Sequence, residues 1–462
     1  MAEGGASGQV KLQSARGEAL VDYIATAGKR AYPADVIDLA KFALTDCIGV
    51  AIGAVNEPAV AATRTAALSW RAKGNARIFL GPTTTPALAG LVNGTMAHAL
   101  DFDDSHPDGG GHPSAVCATA ALAVAEDRGA GPEEILSAFI TGFEIMVRLG
   151  GGGKPGVGRT LQRKGLHPTC VFGRVGAAAV TAVMRGLPRQ QIPNALGVAA
   201  TTASGFVASF GTDSKPFHAG KAAMDGILAV DLAASGFTAA HGLFELEGGL
   251  LDALIQDHEV NPPTLDLDDS WWLRNDGFKP YACCRSTHPA VDAARALSSR
   301  LDGRTVERVE ARVHTNALFT AGKLRPMTPL EGKFSVPFCI ALGLHGYSLT
   351  PGDFSDETLN DPALKDLTSR VNATAVPEMD NIEAEIDLHL SDGTVLAERT
   401  ECFLGHRNNP MTWKAQQTKF MGLVVPQLGR EQAESLFARL RSFEQPGELE
   451  RIREILAIQS SD

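Results

Sequence analysis

Five segments of this chain, at 34–54, 113–126, 132–149, 168–184 and 216–234, carry apolar residues at helical spacing or nearly all round. Helices apolar on every face cannot stand alone in water and belong in the middle of a large bundle. Several open on proline, which at the first helical position starts a helix rather than breaking one. Alanine and glycine are abundant and aromatics make up only 6% of the chain, so the helices can approach closely. At 462 residues the chain exceeds one ordinary core, and two domains are expected.

After about Asp276 the pattern changes. Residues 308–315 (RVEARVHT), 382–390 (IEAEIDLHL) and 394–404 alternate with a period near two. They predict strands, the last two joined as a hairpin through Ser391-Asp392-Gly393. Stretches 334–343 and 356–371 read as helices, and helical spacing resumes over 411–457. The expected fold is mainly α with an α+β insert. Residues 1–275 and 406–462 form a helical domain, 276–405 a smaller α+β domain, and the C-terminal tail docks back on the first.

A hydrophobic content of 44% against 21% charged residues describes a globular protein. With 42 basic and 53 acidic side chains the net charge is -11, which argues against a uniformly basic face for nucleic acid. No apolar run reaches the roughly eighteen residues of a spanning helix. The first residues have no hydrophobic centre and read as neither signal nor transit peptide. Seven cysteines without a C-x-x-C pair suit a reducing compartment, so the expected location is cytoplasmic.

Cofactor motifs fail on their context. Gly151-Gly152-Gly153-Lys154-Pro155-Gly156 has the G-x-G-x-x-G spacing. It follows a helical stretch rather than a strand, contains proline, and lacks an acidic residue about twenty positions on. No zinc-type ligand spacing and no G-x-S-x-G elbow occurs.

Four times a titratable or cationic residue stands directly before a proline that can open a helix: His112-Pro113, His167-Pro168, Lys215-Pro216 and His288-Pro289. A helix N-terminus offers free N–H groups and the positive end of the dipole, a ready site for carboxylates. Singly, each pair is an ordinary N-terminal proline with a solvated neighbour. From Ile145 to Thr212 there is no Asp or Glu, while Arg148, Lys154, Arg159, Arg163, Lys164, Arg174, Arg185 and Arg189 all fall there. That span is either a solvated basic face or a region that steers a small polyanion. Just upstream, His98, Asp101, Asp103, Asp104, His106, Asp108 and His112 crowd together. On a continuing helix His98 would share a face with Asp101, and Asp101 with Asp104. Glycines 109 to 111 would then break the helix before His112. A metal site, a structural polar network and a catalytic loop that tunes His112 all remain open for this cluster.

At these residues the sequence resembles the MmgE/PrpD family. The resemblance is carried by HALDFDDSHPDGGGHPSAV (98–116), GLHPTCVFGRVGAAA (165–179), GTDSKPFHAGKAAMDG (211–226), KPYACCRSTHPAVDA (279–293) and KFSVPFCIALGL (333–344), in order along nearly the whole chain. It implies a helical domain made from both chain ends, an inserted α+β lid, a homodimer, and no metal or organic cofactor. Family activities include 2-methylcitrate dehydratase, cis-aconitate decarboxylase and iminodisuccinate epimerase. The implied site combines Asp101, Ser105 and His112 with His167, Lys215 and, from the lid, Lys279. The decarboxylase branch carries a His where this chain has Cys284, and a Tyr within the stretch matching 318–324, where this chain has none. Both departures remove proton-transfer groups. The pattern Lys279, Cys284, His288 is closer to the epimerase.

The expected chemistry is removal of a proton next to a carboxylate on a small di- or tricarboxylate. Such a proton is weakly acidic, so a positioned base and cations that stabilise the enolate are needed. His112 is the expected base or acid, oriented by Asp101, with His167 as the second proton-transfer group. Lys215 and Lys279 are expected to clamp carboxylates, and Ser105, Cys284 and His288 to line the substrate. A dehydratase-like lyase is the leading reading and an epimerase the alternative. A decarboxylase and a non-catalytic carboxylate-binding scaffold rank behind them.

Overall fold

The computed structural model describes residues 15–109, 111–151, 156–243, 249–254, 267 and 270–457. Gly110 and the Gly152–Pro155 part of the glycine run, Lys154 included, lie outside the described residues. The helix Pro168–Arg185 runs through the middle of the larger unit, packed by Pro113–Arg128, Pro132–Gly150 and Ser214–Ala234. Proline stands in the first turn of the first three, and Gly129 and Gly186 close two of them in the left-handed conformation that glycine tolerates.

Small residues set the closest approach. The helices Pro86–Ala99 and Ser214–Ala234 meet at Gly94 and Gly220, where a Cβ on Gly220 would lie 2.0 Å from the Leu91 carbonyl oxygen. Any side chain there would force the helices apart, and with them His98 and Lys215 at their adjoining ends. The chain's last helices return to the first long one. Trp413–Leu428 lies on Ala34–Gly53, Phe420 fills the space over Gly49, and Lys419 reaches Asp46 at 2.6 Å.

In the α+β part, strands are ordered Val371–Ala375, Val306–Val313, Ala384–Leu390, Val395–Thr400. The first pair is parallel and the others antiparallel, with Val309 opposite both Val371 and Leu388. Ala384–Leu390 alternates buried and half-buried positions throughout, and helices His288–Ser298 and Val336–Leu344 cover the apolar face. The hairpin is present as expected. The edge strand Val371–Ala375 (VNATA) differs from expectation because it has too few apolar residues to show a period. The helix expected over 356–371 is two, Asp356–Asn360 and Pro362–Ser369, separated by Asp361, whose carboxylate caps Leu364 N–H. The pattern over 411–457 is three helices, interrupted at Gly429 and near Gly447. Among the described residues no helix is long and apolar enough to cross a membrane.

Candidate active site

The helix Pro86–Ala99 does not continue into the acidic cluster. It ends, and Asp101 takes a left-handed φ of 52°, a strained setting for a non-glycine residue. The turn folds the Asp101 carboxylate back between two buried lysines. Lys215 donates to Oδ1, and the Lys279 ammonium lies 3.0 Å from Oδ2 and donates to the Asp101 carbonyl at 2.8 Å. Burial alone would raise this carboxyl, but Lys215 and Lys279 hold it below the usual carboxylate range. Lys215 also lies 3.0 Å from Nε2 of His98. Lys215 uses two of its three N–H donors on these partners and Lys279 donates one to the Asp101 carbonyl, so each keeps at least one N–H for a ligand.

Asp103 and Asp104, rather than Asp101, orient the histidines. Nδ1 of His98 lies 2.9 Å, and Nδ1 of His112 3.2 Å, from Oδ2 of Asp103, and Nδ1 of His112 is 2.6 Å from the Asp104 carbonyl oxygen. A carbonyl oxygen only accepts, so Nδ1 of His112 carries the proton and Nε2 carries the lone pair. Burial lowers both imidazoles, His98 to about 3, and Asp103 opposes that shift in each. His112 is therefore a neutral imidazole with a fixed tautomer. The expected helical pairing of Asp101 with Asp104 fails because the helix has already ended.

His167 stands opposite, its ring 6.4 Å from that of His112 and edge-on to Phe210. Burial and then Lys215 hold it well below the ordinary imidazole range. Asp101, His112, His167, Lys215 and Lys279 wall a cavity completed by Ser105, Arg159, Gln162, Cys284, Arg285, Thr320 and Phe334. Burial and then Asp101 raise the Cys284 thiol, so it stays protonated, and its sulfur is 3.7 Å from Thr320 Oγ1.

Three of the four residues before prolines thus converge, and one does not. His288 is fully buried away from the cavity, between Tyr281 and Phe403, with Nε2 3.3 Å from the Cys283 carbonyl. It is a packed core histidine, which removes it from the substrate-lining set. Lys215 does not precede its helix, which starts at Ser214; Pro216 is accommodated in the first turn.

The basic span also needs correction. Arg148 pairs with Glu144, Arg174 with Asp225, Arg185 with Asp231, and Arg189 with Glu18 and Asp22, all of them carboxylates outside the span. Arg163 and Lys164 are exposed. Of the arginines and lysines described in the span, only Arg159 reaches the cavity. Arg285 faces it there and was missed, because an arginine in a helix-turn sequence carries no signal of its own. Among the described residues neither arginine has an ion pair, and burial and then Arg159 push Arg285 down to about 9.

Ligand atoms of His98, His112 and His167, and of His98, Asp101 and Asp103, come within 4.8 Å of one another. Both nitrogens of His98 are already engaged, one by Asp103 and one by the Lys215 ammonium. A cation there would have to displace that ammonium, so the donor set fits proton transfer better than a metal.

The model for the MmgE/PrpD N-terminal domain matches residues 18–263, and that for the MmgE/PrpD C-terminal domain matches 281–442. Cis-aconitate decarboxylase of Mus musculus is 28% identical over 383 residues, covering 78% of this chain and 76% of that protein. The cis-aconitate decarboxylases of Homo sapiens and Aspergillus terreus are each 27% identical, over 78% and 81% of this chain and 77% and 82% of their own. With both halves of the family matched in order along a chain that folds as helical bundle plus α+β unit, this protein belongs to the MmgE/PrpD family.

Proposed function

We propose that this protein is a cofactor- and metal-independent lyase that removes a proton next to a carboxylate of a small tricarboxylate. The observation that carries the reading is the His112 tautomer: Nδ1 is held by the Asp104 carbonyl and Asp103, leaving Nε2 as a base. Beside it, Lys215 and Lys279 each keep one N–H for the substrate carboxylate, where negative charge grows as the proton leaves. Arg159 and Arg285 take a distant carboxylate. Four cations around a single cavity carboxylate, Asp101, leave three positive charges, which a tricarboxylate neutralises. His167 protonates the departing hydroxyl, making dehydration the leading reaction. In this reading the α+β unit, which supplies Lys279, acts as the lid, and the active form is a cytoplasmic homodimer.

A second reading, decarboxylation, is favoured by the names of the relatives. Against it stands Cys284 beside Thr320, where the decarboxylase branch supplies further proton-transfer groups. Inversion would need the Cys284 thiol both to return a proton from the opposite face and to act as base in the reverse direction, and a thiol held above its ordinary range resists the second role. The reactions separate in one experiment. Purified protein is incubated in D₂O with a panel of hydroxy- and unsaturated di- and tricarboxylates and followed by NMR. Alkene formation from a hydroxytricarboxylate supports the lyase as stated. Loss of CO₂ moves the assignment to decarboxylation, and inversion without elimination to epimerisation. Tight binding without any exchange at carbon would make it a carboxylate-binding scaffold.

A further inference from the structure

His167 is 2% exposed, and a group so buried that gives up a proton must regain one by a defined path. Its Nδ1 lies 3.1 Å from Nδ1 of His218. Two Nδ1 atoms at that distance share one hydrogen: one ring donates and the other accepts. Among the described residues neither Nε2 has a protein partner. His167 lines the inner cavity, while His218 lines a separate pocket walled by Arg174, Ser204, Phe206, Lys221 and Asp225. That outer pocket reaches the surface, since Phe206 is 62% exposed and Lys221 is more than a third exposed. The imidazole pair thus stands between the substrate cavity and the outer pocket.

We propose that His218 relays protons between solvent and His167. The starting state has His218 Nδ1–H donating to Nδ1 of His167, whose Nε2–H faces the substrate. When His167 gives its Nε2 proton to the leaving oxygen, the shared hydrogen crosses to Nδ1 of His167. His218 then takes a proton from water at its own Nε2. One proton enters, one crosses and one leaves, and no net charge stays behind. The starting tautomers return when a proton from the substrate cavity reaches Nε2 of His167, the shared hydrogen crosses back to His218, and His218 releases its Nε2 proton to water. The groups that act most on the pair are Lys215, His98, His112 and Arg174, and the carboxylate of the outer pocket, Asp225, is already taken by Arg174 and Lys221. Burial and then His98 and Lys215 keep His218 down to about 4, so both rings are neutral at rest. His218 sits inside the helix Ser214–Ala234 that also carries Lys215, so packing fixes its ring relative to the site.

The relay rests on His167 acting as the acid, and the two claims fail separately. Turnover and proton exchange are measured for His218→Asn, His218→Ala and His167→Gln, with imidazole added to each. An asparagine amide can keep the hydrogen bond to Nδ1 of His167 but cannot pass a proton. Both His218 variants are expected to lose about tenfold or more in kcat with KM unchanged, at the low end for lost acid–base assistance. Added imidazole, entering through the outer pocket, is expected to restore His218→Ala in proportion to its concentration. Wild-type kcat in His218→Asn, or a His218→Ala defect that imidazole does not relieve, would overturn the relay while leaving His167 as acid. Full activity in His167→Gln would overturn the assignment of His167 itself.

Discussion

The Lys279 ammonium lies 3.0 Å from Oδ2 of Asp101 and 2.8 Å from the same residue's carbonyl oxygen. One side chain from the start of the α+β unit therefore grips both the carboxylate and the backbone of the strained turn that ends the Pro86–Ala99 helix. Removing it would leave a buried carboxylate with a single cationic partner. Loss of one member of a buried ion pair typically costs about 3–5 kcal/mol. Lys279→Met is expected to lower stability by that order in chemical denaturation and to abolish turnover. A variant of wild-type stability would mean that water already reaches and solvates this pair.

Arg285 lines the cavity with no ion pair among the described residues and is disfavoured as a cation by burial and by Arg159. If it receives a substrate carboxylate, Arg285→Leu should weaken binding by about 2 kcal/mol or more, the range for truncating one partner of a buried charge pair. Relief of a buried charge should at the same time leave the melting temperature unchanged or raised. The expected kinetic signature is a higher KM for tricarboxylates, with little change for a substrate lacking the distal carboxylate. Equal effects on both substrates would place the arginine outside recognition.

Behind the site, Asp104 and Asp276 are both buried and, among the described residues, neither forms an ion pair. Burial and then Asp103 push Asp104 up to about 7, and burial and then Asp104 raise Asp276 well above the carboxylate range. Carboxyls raised in the folded state favour folding below their unfolded value of 3.8, and that contribution is lost as pH rises through about 7 and beyond. Stability should therefore decline across this window in denaturant titrations at stepped pH. Asp276→Asn should flatten the decline. A pH-independent wild type would mean that the pair is already neutralised.

Legibility in the sequence followed periodicity. The long apolar helices and the hairpin around Asp392 could be read from it, whereas the meeting of His112, His167 and Lys215 was implied by the family resemblance alone. What could not be read depended on where local order stops. The turn at Asp101 breaks the helical spacing and hands the orienting role to Asp103 and the Asp104 carbonyl. A backbone acceptor has no signature in sequence. The basic span misled because its partners, Glu144 aside, lie far along the chain, as Asp225 does for Arg174. His288-Pro289 looks like its neighbours in sequence, yet its ring is packed between Tyr281 and Phe403.

The central claim is that Nε2 of His112 takes the proton next to the substrate carboxylate. Among the described residues its ring is held at Nδ1 only, so a glutamine there can keep that contact without offering a basic nitrogen. The direct measurement is the rate of deuterium entry at the carbon next to the carboxylate, in D₂O, for wild type and His112→Gln. Losing a general base typically slows a reaction by about a hundred- to ten-thousand-fold. We expect a loss in that range, with substrate binding kept and stability within about 1 kcal/mol of wild type. Exchange at the wild-type rate in His112→Gln would contradict the account and move the base to another group.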